Sequence, residues 1–301
     1  MPVIHGATSN GREINSPPDW TLVRRGESFF GCAPDWAAGF SDLGYGLEGD
    51  GPRGQYDSPG RRPPATLDHE CGLVLVRRYV HGGLLRAITG ERFKDPGRLL
   101  DEVGLTLELA RRGVAVPELV SLRALHQGPR SWQLEVGMRL VKGTRDLRAM
   151  LAERLRGELE RSAWRKLLTS TGQALGEAHR LGLDHVDLQP ANLLVEPLDL
   201  KGPEPTKIWI IDLDRCRLLD RGMDQVAKKN LARLMRWILG RYPAGSLLSA
   251  SDLARFMVAY ESDSQRRKML MRAVVQILER EGPWHRTGRA IERFLGLTRE
   301  G

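Results

Sequence analysis

The sequence has few cysteines, few aromatic residues and no long apolar run. Its three cysteines, Cys32, Cys71 and Cys216, lie far apart and form no C-x-x-C pair, which argues against a disulfide framework or a zinc site and favours a reducing compartment. The longest apolar runs, residues 73–76 and 209–213, are as long as core strands and much shorter than a membrane span. The chain opens without a basic segment followed by an apolar stretch, so we expect no signal peptide.

The sequence does have an excess of positive charge, with a formal net charge of +8 and a pI of about 9.7. Such a charge favours an acidic partner, such as a nucleotide, a nucleic acid or a phosphorylated membrane surface. Aromatic residues make up only 6% of the chain, and no recognition motif interleaves them with the basic segments, so we expect no nucleic-acid binding. The hydrophobic content of 41% is that of a protein with a substantial core.

The chain divides by pattern into three regions. Residues 1–43 are predicted to be an N-terminal extension that is partly disordered. Residues 44–140 begin with a loop rich in Gly, Pro and Arg and continue with a strand at 73–79 and a helix at 97–112. Residues 141–301 are predicted to be mostly helical. We therefore expect an α+β protein with a small β-rich lobe and a larger helical lobe.

Within the helical region, a long helix is predicted to end near Leu181, and two short apolar segments follow it. These segments, residues 192–195 and 207–212, are separated by a Pro- and Gly-rich turn and are expected to pair as a hairpin. The run H-V-D-L-Q-P-A-N ends at Asn192, and the second apolar segment ends in Asp212, 20 residues later. Phosphoryl transfer from ATP requires a carboxylate to orient the attacking hydroxyl and oxygen ligands that hold Mg²⁺ on the phosphates. We assign the first role to Asp187 and the metal-binding role to Asn192 and Asp212.

The β-rich region should supply the cation that contacts the nucleotide phosphates. Kinases use a strand Lys held by a helix Glu, whereas the strand here offers Arg77 and Arg78. Strand alternation favours Arg77 as the inward cation, and helical spacing places Glu102 on the buried stripe as its partner. No G-x-G-x-x-G motif is present, and Gly60 stands at about the right distance before the strand for a phosphate-covering loop.

Five segments resemble the bacterial 3-deoxy-D-manno-octulosonic acid (Kdo) kinases, members of the lipopolysaccharide-kinase group of the protein-kinase-like fold. The segments are R-R-Y-V-H-G-G-L-L-R-A-I-T-G-E-R-F (77–93), D-E-V-G-L-T-L-E-L-A-R-R-G-V-A-V-P-E (101–118), H-V-D-L-Q-P-A-N-L-L-V (185–195), I-D-L-D-R-C-R-L (211–218) and K-N-L-A-R-L-M-R-W-I (229–238). The last two are the most family-specific. In the fourth, Asp214 and Arg215 are expected either to support the metal-binding loop as a charge pair or to contact an acidic acceptor.

The resemblance implies a bilobal protein-kinase-like fold that transfers the γ-phosphate of ATP to a hydroxyl of Kdo in the lipopolysaccharide inner core. It places the reaction at the cytoplasmic face of the inner membrane of a Gram-negative bacterium, where the basic helices would contact an anionic lipid surface. In that fold, residues 136–140, with Met138, would be the hinge that holds adenine. Two alternatives stay open: a kinase for another acceptor (a core heptose, a small molecule or a protein Ser/Thr), and an inactive kinase-like module that binds nucleotide or lipid.

Overall fold

The computed structural model describes most of the chain, as residues 19–48, 54–55, 64–80, 92–197, 204–220, 223–242 and 245–280. The chain divides into two units. The first comprises residues up to Arg112 together with Pro117–Lys142, and the second comprises Gly113–Val116 and the chain from Gly143 onward. The sequence places the main division after residue 140 and does not anticipate that residues 113–116 group with the helical part.

The first unit is built on one antiparallel sheet with the strand order β1-β2-β6-β7-β5-β4-β3. Its strands are β1 (Thr21–Arg25), β2 (Ser28–Cys32), β3 (Gly54–Gln55), β4 (Ala65–His69), β5 (Gly72–Arg78), β6 (Leu119–His126) and β7 (Trp132–Arg139). The described part of the predicted N-terminal extension, residues 19–43, is therefore not a separate appendage, because it supplies β1, β2 and helix α1 (Ala37–Asp42).

Helix α2 (Gly97–Arg111) covers one face of this sheet. It begins where the Asp95 carboxylate accepts a hydrogen bond from Gly97 N at 2.8 Å, and Gly113 follows it with a φ of +83°, a conformation that glycine adopts without strain. The predicted helix at 97–112 is confirmed. Its buried stripe joins a core of strand side chains; the members are Trp20, Phe29, Tyr79, Phe93, Leu99, Val103, Leu119, Leu122, Ala124, Trp132, Leu134 and Val136.

The opposite face of the sheet is covered by an aromatic cluster that includes α1. The Phe30 and Tyr45 rings meet edge to face with centroids 5.4 Å apart, as do Phe40 and Tyr45. The buried His69 ring lies against this cluster and shares a hydrogen bond of 3.0 Å with Trp36 O. The central strands of the sheet are therefore covered on both faces, which agrees with the near-continuous apolar run of β5.

The second unit is mostly helical. Its helices are α3 (Leu147–Arg156), α4 (Arg161–Arg180), α5 (Met223–Leu239), α6 (Ala250–Tyr260) and α7 (Ser264–Arg280). Two small sheets accompany them: β8 (Arg145–Asp146) with β10 (Leu193–Val195) and β11 (Ile208–Ile210), and β9 (Leu183–Asp184) with β12 (Arg217–Leu218). Strands β10 and β11 form the predicted hairpin, with Leu193 opposite Ile210.

Helices α4 and α6 approach each other closely because α4 carries glycine at two contact positions. A Cβ atom at Gly172 would lie 2.3 Å from Phe256 O, and one at Gly176 would lie 2.3 Å from Tyr260 O. Residues at i and i+4 share one face of a helix, so the two glycines open a single flat contact strip. No helix in the described ranges is long and apolar enough to cross a membrane.

The three cysteines are all free thiols. Cys32 and Cys216 are buried, whereas Cys71 is partly exposed and its Sγ donates to Asp35 O at 3.3 Å. Burial raises the pKa of the Cys32 thiol to about 11.

Candidate active site

Asp187 lies in a loop that leaves the short strand β9 and leads through a 3₁₀ turn into β10. The turn, Pro190–Asn192, carries proline at its first position, where the missing N–H is tolerated. The Asp187 side chain is exposed, and Gln189 Nε2 donates to its Oδ2 at 2.9 Å. A carboxylate on a short loop between strands of two different small sheets is held in place at both ends and is still accessible, as a group that accepts a proton from a bound hydroxyl must be.

Asn192 fixes the shape of the same loop. Its buried side chain donates from Nδ2 to Asp187 O at 2.8 Å, and its backbone N donates to Gln189 O at 2.9 Å. Its own carbonyl accepts from Ile211 N at 3.0 Å. Because the amide nitrogen is committed to the loop, the side-chain oxygen is the part of Asn192 that remains for a ligand. Amide oxygen is an atom type that Mg²⁺ accepts.

Asp212 stands two residues after β11, exposed and with a φ of +60°. Aspartate tolerates this left-handed conformation better than most non-glycine residues, although some strain remains. Two hydrogen bonds hold the neighbouring carbonyls: His185 Nε2 donates to Ile211 O at 3.0 Å, and Cys216 Sγ donates to Asp212 O at 3.8 Å. The structure therefore brings the segments that carry Asp187, Asn192 and Asp212 together, as the sequence predicts.

His185 joins the two segments and is buried. Burial lowers the pKa of His185, although the Asp212 and Asp187 charges oppose that effect. Since Nε2 donates to a carbonyl and the buried Nδ1 contacts no hydrogen-bond partner among the described residues, the ring is a neutral tautomer with its proton on Nε2. His185 is thus a structural link between the loop and Asp212.

Helix α5 anchors the Asp187 loop through hydrogen bonds to Asp184 and His185. The sequence analysis does not predict this anchor. Asn230 is fully buried: its Oδ1 accepts from His185 N at 2.9 Å and its Nδ2 donates to Asp184 Oδ1 at 2.8 Å. One turn later, Arg233 Nη1 donates to His185 O at 2.9 Å. Both groups of the His185 peptide backbone are therefore bound by one helix. A signal was available, since Asn230 interrupts an apolar helical stripe and a buried amide needs partners.

In the first unit, Arg77 and Glu102 form the predicted ion pair. The Arg77 guanidinium donates to both Glu102 carboxylate oxygens, and Tyr79 Oη donates to Oε2 at 2.5 Å. The Glu102 side chain is fully buried, whereas 35% of the Arg77 side chain is exposed. Arginine presents five N–H donors in a planar fork, a geometry that suits carboxylate and phosphate groups.

Arg78 points to the opposite face of the sheet, as strand alternation requires. Its Nε donates to Glu135 Oε1 at 3.0 Å, and the buried Arg123 donates to Glu135 Oε2 at 3.3 Å. Glu135 is almost completely buried, so its charge is balanced by two guanidinium groups. Arg77 and Arg78 are thus sequence neighbours that serve two separate buried carboxylates.

Two predicted nucleotide contacts have less structural support. Met138 is half-buried in β7, where its Cα pairs with Leu75 and Leu119, and its adenine-binding role stays a prediction. Gly60 lies outside the residues that the structure describes.

The donor set of the loop suits magnesium rather than a metal held entirely by protein. Within the described ranges, no group of three or more His, Cys, Asp and Glu side chains is placed to hold a metal ion. One carboxylate and one amide, those of Asp212 and Asn192, are nevertheless enough protein ligands for a cation when phosphates and water complete its shell. The side chains present therefore fit a nucleotide-bound Mg²⁺.

Comparison with known proteins gives a consistent family. Residues 53–260 match the sequence model of the lipopolysaccharide kinase (Kdo/WaaP) family. A 3-deoxy-D-manno-octulosonic acid kinase of Vibrio parahaemolyticus is 31% identical over 165 residues, which cover 54% of this chain and 62% of that protein. One from Xanthomonas axonopodis pv. citri is 30% identical over 210 residues, which cover 68% of this chain and 78% of that protein.

Among solved structures, the chain resembles WaaP in complex with acyl carrier protein. The TM-score is 0.56 at 18% sequence identity, and the match covers 83% of this chain and 91% of that chain. At this identity the likeness shows the fold, which is protein-kinase-like, as the sequence predicts.

Proposed function

The chain belongs to the lipopolysaccharide kinase (Kdo/WaaP) family, and we propose that it transfers the γ-phosphate of ATP to a hydroxyl of Kdo in the lipopolysaccharide inner core. The observation that carries the proposal is the convergence of the Asp187 loop and the Asp212 segment, tied together by the hydrogen bond between His185 Nε2 and Ile211 O. The kinases that match this chain are named for Kdo as their acceptor, which supports the same acceptor here.

In this proposal, Asp187 accepts the proton of the acceptor hydroxyl, because its carboxylate is exposed on a loop with a fixed backbone. Asn192 and Asp212 offer an amide oxygen and a carboxylate to the magnesium ion of Mg-ATP. When bound, that ion neutralises charge on the phosphate oxygens.

Arg77 takes the part that a strand lysine has in other kinases and contacts the ATP phosphates. Glu102 and Tyr79 hold its guanidinium from the buried side, so the cation presents a fixed donor pattern instead of a mobile one. Gly60, as part of a phosphate-covering loop, and Met138, as an adenine contact, belong to the same proposal.

We place the reaction at the cytoplasmic face of the inner membrane, with the protein in peripheral contact with anionic lipid. The net charge of +8 supports this contact. So does helix α7, which exposes Arg266, Lys268, Met269 and Arg272. Each cation close to an anionic surface contributes about 1 kcal/mol.

The test is acceptor-dependent ATP consumption by the full chain with Mg²⁺ and a Kdo-bearing lipid A precursor. The precursor is presented in vesicles of anionic lipid or of zwitterionic lipid alone. We expect turnover, faster on the anionic vesicles, and a loss of about 10³-fold or more in Asp212→Ala and in Asp187→Ala. The Asp187 side chain is exposed, so Asp187→Ala should keep the wild-type melting temperature, whereas Asp212→Ala should lower it slightly because alanine tolerates the left-handed backbone less well than aspartate does.

Four other results would each change a different part of the proposal. Wild-type turnover in Asp187→Ala would remove Asp187 from its role. Nucleotide binding without turnover on the Kdo acceptor would move the search to a core heptose, a small molecule or a protein hydroxyl. Absence of both binding and turnover would favour an inactive kinase-like module. Equal rates on the two vesicle types would remove the membrane contact.

A further inference from the structure

A tight turn follows Asp212, and its third residue is an arginine in a left-handed conformation. Cys216 N donates to Leu213 O at 3.0 Å, which closes the four-residue turn, and Arg215 has a φ of +61°. This conformation in the third position of a turn is one that glycine adopts freely, whereas an L-residue with a side chain loses about 1–2 kcal/mol there. The chain keeps arginine at the position despite that strain.

The Arg215 side chain is exposed, and its guanidinium makes no hydrogen bond or ion pair with any residue that the structure describes. The nearby cation Arg233 is committed, because it donates to His185 O. Arg217 is exposed, and its Cα stands opposite that of Asp184 in the β9–β12 pair, so an acidic residue is its cross-strand neighbour. Arg215 is thus an exposed guanidinium that the described structure does not use.

The turn and the Asp187 loop leave from the same end of the β9–β12 pair. Strand β9 runs out of Asp184 into the loop, and β12 is entered at Arg217 from the turn. The Cys216 thiol also reaches Asp212 O, which ties the turn to the Asp212 backbone. Arg215 is therefore carried on a segment that borders both proposed active-site carboxylates.

The Asp187 loop carries no cation at the position directly before Asp187. Kinases with an H-R-D motif have arginine directly before the catalytic Asp, whereas this chain has Val186, which is 38% exposed. Positive charge at this edge of the site thus comes from the facing turn. An uncommitted guanidinium beside a reacting hydroxyl attracts a substrate anion, and its planar fork binds a carboxylate through two parallel N–H···O bonds.

We propose that Arg215 binds the carboxylate of the acceptor, so that the enzyme selects a sugar acid over a neutral sugar. This inference rests on the proposed function, because Kdo is a sugar acid whose carboxyl group is ionised at neutral pH. Arg215 sets the acceptor's position through that anion, while Asp187 contacts the hydroxyl.

The experiment compares two acceptors, the Kdo-bearing lipid A precursor and the same molecule with its Kdo carboxyl reduced to an alcohol. The proteins are the wild type, Arg215→Gln, Arg215→Lys and Arg217→Gln as the matched loss of one nearby positive charge. We expect Arg215→Gln to raise the KM for the acid about 10- to 100-fold. The KM for ATP should stay unchanged, Arg215→Lys should recover part of the loss, and Arg217→Gln should resemble the wild type.

On the reduced acceptor, the wild type should already show the raised KM, and Arg215→Gln should raise it no further. That wild-type comparison needs no folded variant, so it stands even if Arg215→Gln is unstable. If the wild type used both acceptors equally well, or if Arg215→Gln kept the wild-type preference for the acid, the assignment of Arg215 would be wrong while the kinase proposal survived. No wild-type turnover on the acid would overturn the proposed function and the assignment with it.

Discussion

The two units hold their proposed functional side chains in chemically different ways. In the first unit, Arg77 is held by a charge, the buried carboxylate of Glu102, with Tyr79 as a second donor. In the second unit, the Asp187 loop is held mainly by neutral groups, Asn230 and the uncharged His185 ring, which bind backbone atoms, and Arg233 adds one further bond to His185 O. A charged anchor depends on one partner and orients one side chain. A neutral anchor spreads over several backbone bonds and orients a whole loop.

The difference teaches which anchors a sequence reveals. Glu102 is visible because a carboxylate on a buried helical stripe requires a cation, and the neighbouring strand offers one. Asn230 carries no charge. Its place on an apolar helical stripe indicates that it needs partners, but these lie 45 and 46 residues away in the chain and cannot be identified from its local surroundings.

The largest expected effect comes from removing the positive charge of Arg77 in the first unit. Arg77→Met should lower kcat/KM for ATP by about 10²- to 10³-fold, because a fixed cation on the phosphates is lost. Steady-state kinetics at several ATP concentrations measure it.

Arg78→Met is the matched control, since Arg78 is the next residue of the same strand and serves Glu135 on the other face. It should change kcat/KM by less than about threefold, because Glu135 keeps Arg123. Equal losses in the two variants would mean that the strand, and not the Arg77 cation, matters for activity.

Breaking the neutral anchor should have a smaller effect on rate and a clear one on stability. Asn230→Ala leaves His185 N and the Asp184 carboxylate without a shared partner, which should lower the free energy of unfolding by about 2–4 kcal/mol. The relaxed loop should lower kcat about 10- to 100-fold with little change in the KM for ATP.

Urea denaturation and kinetics below the melting temperature measure the two effects of Asn230→Ala. Lys229→Ala, an exposed change at the preceding residue of the same helix, is the control and should leave both quantities near the wild type. A variant at position 230 with wild-type stability and kcat would show that α5 does not anchor the loop.

The smallest expected effect is a loss of folding stability in mild acid, where buried neutral histidines begin to be protonated. His179 is buried in α4, with its Nδ1 2.6 Å from Tyr260 Oη. Burial lowers the pKa of His179 to about 4, and burial also lowers the pKa of His185, from an ordinary value of 6.5. Both rings are neutral in the folded state, so their contribution is complete above pH 6.5 and declines as pH falls toward the folded pKa. For His179, the unfolding free energy should decrease by about 1.4 kcal/mol for each pH unit in that window, and His185 should act in the same direction.

Urea denaturation at about pH 7 and about pH 5.5, with the wild type and His179→Gln, measures this dependence. The variant removes one titrating ring and should show a shallower decline. A wild-type stability that is flat between these two pH values would contradict the neutral-histidine description.

Much of the fold follows from local pattern. Helix α2 is predicted almost to the residue, because Leu105 and Leu109 repeat at helical spacing and a glycine follows the helix. The segment that contains β1, β2 and α1 is not predicted, because its strands are short and are buried only by contact with the rest of the sheet. Strand β6 (Leu119–His126) is likewise unidentified, because it is buried on both faces and shows no alternation.

The candidate site divides in the same way. Asp187, Asn192 and Asp212 are predictable from their spacing. Strands β10 and β11 pair as a hairpin, which brings Asp212 back beside the segment that carries Asp187 and Asn192. The strained backbone at Asp212 and Arg215 is not predictable from the sequence. A φ above zero at a non-glycine residue depends on bonds from distant groups such as the His185 ring.

The distribution of the three thiols has a practical consequence for spectroscopy. Cys32 resists alkylation because it is buried and its pKa is about 11, and Cys216 is enclosed beneath the Asp212 turn. Cys71, at the tip between β4 and β5, is the thiol that a maleimide dye reaches in the folded protein. A fluorophore or spin label can therefore be attached to the first unit at one defined position without removing any native cysteine.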